Sequence, residues 1–212
     1  MQDEQQTTRP ARRIHRRRLQ RPATASGYRV DTFREVIYRH GGTMGLLALA
    51  GLLLPGAWEA FQATTEPALV TPRPYLIGVA AMVVFFIVWS ARRPQPVARQ
   101  VRWVLYLLFI SIVEEVAFRL TIPLFLGTSM GWLVANVLSN LVFAGLHYVT
   151  LRWKLRNCIV TFLGGMGLSQ LLTNGDLTLV IMVHWVGTFL NTPFPPHKKK
   201  GEDDQAIEPG MR

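Results

Sequence analysis

The chain has 212 residues, half of them hydrophobic and 17% charged, with a formal net charge of +10. Much of that charge sits in Met1–Arg34. The rest is too apolar for an ordinary soluble domain, and a polytopic membrane domain with polar ends fits best.

In chain order, residues 1–35 read as a basic, mostly disordered cytoplasmic tail. Its stretch Arg9–Arg21 would suit phosphate contacts, but no folded nucleic-acid module surrounds it. The reading is a positive flank beside anionic lipid, with no nucleic-acid partner. The run HRRRL lies too far from the first apolar segment, near Met44, to serve as a twin-arginine signal. Beyond the tail lie six candidate helical spans, at 43–61, 75–90, 103–126, 131–147, 158–172 and 177–191. A span usually takes about 20 residues, so several are short and need flanking anchors or local thinning. The first ends its apolar run at Leu54–Pro55, with Glu59 beyond, and a signal-anchor or re-entrant segment is the alternative. Gly41 and Gly45 form a small-residue spacing that suits ordinary helix packing. Cys158 is the only cysteine; it excludes an internal disulfide and has a packing role. Residues 193–212 form a polar tail. The fold class is all-α: a polytopic membrane bundle over 36–192, with a motif-bearing core at 103–191 and an intramembrane polar cavity.

The loops test the span count independently. Loop 91–102 carries Arg92, Arg93, Arg99 and Arg102, and loop 148–157 carries Arg152, Lys154 and Arg156. Loop 62–74 has one arginine and a glutamate, loop 127–130 no charge, and loop 173–176 only Asp176. Lys198–Lys200 open the C-terminal tail. Basic and non-basic ends alternate, so both termini fall on the cytoplasmic side.

The third span holds the chemistry. Within Leu107–Leu126 the only charges are Glu114, Glu115 and Arg119. Ionisable groups at membrane depth are expensive and usually functional. Glu115 and Arg119 are four apart, in the favourable order for an ion pair. Glu114 lies about 100° round the helix, the less neutralised acid and the better candidate base. His147 ends the fourth span and His184 lies within the sixth. Thr188 is one turn beyond His184, and Asn191 about 10 Å along the axis. His184 with Thr188 could stabilise an oxyanion. By helix rise, Glu114 lies about 18 Å from Arg102, so these groups can share a cavity opening toward the cytoplasm.

EEVAFR at Glu114–Arg119 and FAGLH at Phe143–His147 resemble the EExxxR and FxxxH motifs of the CPBP family of intramembrane proteases, the CAAX protease and bacteriocin-processing (Abi) family. HWVGT at His184–Thr188 is similar to a third motif, histidine followed four residues later by asparagine or aspartate; Thr188 departs from it, and Asn191 comes one turn too late. The resemblance covers about 110–190. It implies a membrane endopeptidase acting near the C-terminus of a membrane-associated protein or peptide. Glu114 would activate water with help from His147, and His184 would stabilise the oxyanion. Glu115 and Arg119 would hold the site, and Phe143 would pack beside it.

The family has been described both as metalloproteases and as metal-free glutamate proteases. Zinc could take Glu114 or Glu115 with His147 and His184. There is no HExxH, and the expectation is that no cofactor is required. Two alternatives come from other classes: a non-proteolytic immunity or scaffold protein of the same fold, and a small transporter. A bacterial cytoplasmic (inner) membrane is the expected location.

Overall fold

The computed structural model describes residues 19–21, 30, 32–92 and 96–196. Most of the two expected tails, including Lys198–Lys200, and Arg93 of loop 91–102 lie outside the described residues. Among those described, the structure is helical apart from one isolated antiparallel bridge, Gln20 to Trp153. The helices are α1 (Phe33–Leu52), α2 (Ala57–Val70), α3 (Pro72–Ala91), α4 (Val97–Glu115), α5 (Ile122–Met130), α6 (Trp132–Thr150), α7 (Leu155–Leu172) and α8 (Leu177–Asn191).

Helix α1 starts on a capping box. Thr32 Oγ1 accepts from the Glu35 amide, and the Glu35 carboxylate accepts from the Thr32 amide at 2.9 Å. A π-helical turn, Ile37–Gly41, then interrupts it. A second π-helical turn, Val116–Thr121, joins α4 to α5, so the expected span 103–126 is one helical path from Val97 to Met130. Each π turn adds a residue and rotates the next stretch of helix about its axis, and such turns often mark functional sites.

The expected span 43–61 is not one helix. Its two parts, α1 and α2, meet at 104° across Leu53–Gly56. Pro55 has no N–H and biases Leu54 away from helix, and Gly56 takes φ +76°, which a side chain would disfavour. The other expected spans match helices, with 177–191 coinciding with α8.

Two helices, α3 and α6, are long and apolar enough to cross a membrane, or three spans result if the bent α1–α2 pair counts as one. Helix α8 is apolar and shorter. Leu76, Ile77, Val84 and Ile87 of α3 are exposed, and Phe86 is its buried residue. So apolar an outer surface suits lipid, and the protein is an integral membrane protein.

Aromatic contacts fix α3 and α4 against α8. Phe86 meets Trp185 and Phe189 at ring distances of 4.9 and 4.5 Å. Trp185 Nε1 donates to the Val104 carbonyl at 3.1 Å, and Trp103 Nε1 to the Thr192 carbonyl at 2.7 Å. At the other end of α8, Asp176 caps the Leu179 amide and accepts from Tyr75 Oη at 2.6 Å. Leu19–Arg21, within the segment read as a tail, pair with the α6–α7 loop: Arg21 N donates to the Arg152 carbonyl and Lys154 N to the Leu19 carbonyl, both at 2.8 Å.

Gly51 lets α1 touch the second π turn. A Cβ there would collide with Thr121 Oγ1 and stand 2.8 Å from Thr121 Cβ. Gly51→Ala gains about 1 kcal/mol of helix propensity but overpacks this contact at a cost of about 1–3 kcal/mol. We expect lower thermal stability in detergent for this variant; an unchanged melting temperature would mean that α1 and the π turn are not in contact.

Candidate active site

Helix α4 buries Leu107, Ile110, Ser111, Glu114 and Glu115 on one face, a spacing of three and four residues. The two glutamates thus take core positions at the end of the stripe that packs α4 inward. Glu114 is 1% exposed, and Glu115 and Arg119 are fully buried.

Three imidazoles surround Glu114. His147, near the end of α6, has Nε2 3.6 Å from Glu114 Oε1. His184, on α8, has Nε2 3.4 Å from Oε2. The third is His40, in the π turn of α1, with Nε2 2.8 Å from Oε1. Sequence reasoning missed His40, because it precedes the apolar run taken as the first span. Its one local signal is a lone histidine at the edge of that run.

Glu115 faces a different set. Its Oε1 is 2.5 Å from His184 Nδ1, and its Oε2 is 3.5 Å from Arg119 Nε. The expected Glu115–Arg119 pair is therefore present, and it extends to His184. The Arg119 guanidinium also lies over the Phe143 ring at 4.0 Å. Phe143 in turn stands edge-on to His147, 4.6 Å between centroids. Around this cation sits a polar shell: Ser139 Oγ donates to the Phe118 carbonyl at 2.6 Å, and Asn140 Nδ2 to Ser169 Oγ at 2.9 Å. A Cβ at Gly165 would run into Asn140 Oδ1 and lie 2.6 Å from an Arg119 nitrogen, so α7 approaches there only as glycine.

The structure brings Glu114, Glu115, Arg119, Phe143, His147 and His184 together. It does not bring Thr188 or Asn191 to Glu114. Thr188 is half-buried and its carbonyl accepts from Thr192, while Asn191 is exposed at the end of α8. Helices distant in sequence thus deliver two carboxylates, one guanidinium and three imidazoles to a buried centre. Such a centre can take a proton from water and return it to a leaving group.

Residues 96–190, somewhat under half of the chain, match the family model described as Type II CAAX prenyl endopeptidase Rce1-like. That segment is similar to the Rce1-like endopeptidases that the family model describes. No curated protein and no solved structure gave a significant match. The Rce1-like domain runs from the start of α4 nearly to the end of α8, and so contains every residue of the site except His40.

Proposed function

We propose that the protein is an intramembrane endopeptidase. It would hydrolyse a peptide bond near the C-terminus of a membrane-associated protein or peptide, using water that Glu114 activates. The observation that carries this reading is the approach of three imidazoles to one buried carboxylate within 3.6 Å.

In this reading Glu114 takes the proton from water and passes it to the leaving amine. His147 Nδ1 donates to the Phe143 carbonyl at 3.0 Å, which leaves the Nε2 lone pair to orient that water. Glu115 Oε1 against His184 Nδ1 fixes that ring with Nε2 toward Glu114 Oε2, on the side where the oxyanion would form. Arg119 holds Glu115 in position, and Phe143 packs against both groups. Thr188 and Asn191 have no role in this scheme, and no cofactor is required. The domain spans 36–192 with six membrane passes, polar tails on either side, both termini cytoplasmic and basic loops near anionic lipid. A bacterial inner membrane suits this arrangement.

The test is incubation of the purified protein with membrane-tethered peptides, prenylated and unprenylated, followed by mass spectrometry of released C-terminal fragments. Wild type is expected to release a fragment and Glu114→Ala none. Equal release by both would remove the assignment. A second reading, a non-proteolytic scaffold, draws on Thr188 standing outside the contacts of Glu114. It predicts no release from any peptide and a cellular phenotype that survives Glu114→Gln.

A further inference from the structure

His40 and His147 each commit one ring nitrogen and present the other to the same oxygen. The partner of His147 Nδ1 is the Phe143 carbonyl, which can only accept, so Nδ1 bears a hydrogen and in the neutral ring Nε2 is a lone pair. The partner of His40 Nδ1 is Thr150 Oγ1, at 2.8 Å. Thr150 spends its single hydroxyl hydrogen on the Leu146 carbonyl at 2.6 Å. Its oxygen therefore accepts from His40 Nδ1–H, and in the neutral ring His40 Nε2 is a lone pair as well.

These two lone pairs converge on Glu114 Oε1, itself buried and without a hydrogen bond of good geometry. With both rings neutral, three electron-rich atoms that close repel one another unless a shared proton or a metal cation lies among them. Arg119 does not serve, since it is held by Glu115 and Phe143. The ligand atoms of His40, Glu114 and His147 lie within 4.8 Å of one another. A tetrahedral zinc with bonds of about 2.0–2.1 Å sets its ligand atoms about 3.3 Å apart. The observed 2.8 and 3.6 Å fall on either side of that figure. Imidazoles whose second nitrogen donates to a carbonyl or a hydroxyl are also what metal-bound histidines require around them.

We propose that His40, Glu114 and His147 form a site for one divalent transition-metal ion, of the zinc type by donor set. It differs from the ligand set expected from sequence in using His40 from α1 in place of His184, which is engaged by Glu115. The inference rests on reading Glu114 as the base. An ion on Oε1 and His147 Nε2 then occupies the atoms that would hold the hydrolytic water, so the ion and the reaction compete.

The experiment is titration of chelator-stripped, full-length protein in detergent with Co²⁺ and Zn²⁺, read by cobalt visible absorption and by bound metal per chain, with peptide cleavage measured in parallel. One ion per chain is expected, with cleavage falling as the site fills. His40→Ala should lower affinity at least tenfold. Thr150→Val, which removes only the His40 Nδ1 partner, should lower it by about 10–100-fold. Thermal unfolding of each stripped variant distinguishes lost ligation from lost fold. Cleavage by a protein that binds neither ion overturns the metal site and leaves the protease reading standing. Metal binding unchanged in His40→Ala overturns the ligand set. Metal binding with no cleavage at any occupancy overturns the competition and the protease reading beneath it.

Discussion

Glu114→Gln is expected to lower turnover by about 10²–10⁴-fold, the usual contribution of a positioned acid–base group. The change keeps shape and volume and removes only the ability to take a proton. It should also fold, for a reason specific to this site. The Gln side-chain amide can donate to the His40 Nε2 lone pair that stands 2.8 Å from the Glu114 oxygen. Lost cleavage with an unchanged unfolding temperature would separate chemistry from stability. A rate equal to that of wild type would exclude Glu114 from the reaction.

Arg119→Met should be the most destabilising single change in the molecule. Arg119 is fully buried, lies 3.5 Å from Glu115 and stacks on Phe143. Removing it leaves Glu115 buried without its guanidinium partner, at a cost of about 3–5 kcal/mol. Removing both charges is milder, because no uncompensated ion remains. The double variant Glu115→Gln with Arg119→Met should therefore recover much of the loss, even though activity does not return. Denaturant unfolding in detergent measures both. If the single variant were as stable as the double, the pair would not be coupled.

Local spacing made part of this site legible. The four-residue separation of Glu115 and Arg119 predicts their contact, and the apolar length of 177–191 predicts α8. The parts that stayed hidden are long-range or non-α. His40 meets Glu114 only because α1 crosses α4, and nothing in the sequence around position 40 encodes that crossing. The two π turns add a residue each, so an α-helical wheel misplaces every side chain beyond them. Thr188 lies one turn beyond His184 on α8, as the four-residue offset predicts, while the ion-pair contacts of His184 run to the two glutamates. The break at Leu53–Gly56 could have been read from Pro55 and Gly56, whose backbone preferences outweigh the apolar run around them.

The position of His40 bears on modularity. A chain trimmed to residues 96–190 would retain both glutamates, the arginine and two histidines. It would lose the histidine that lies nearest to Glu114, together with the Phe86 ring that packs on Trp185 one residue after His184. The unit of inheritance suggested by the family match is therefore smaller than the unit that can assemble the centre. Grafting or swapping this domain between proteins would have to carry α1 with it.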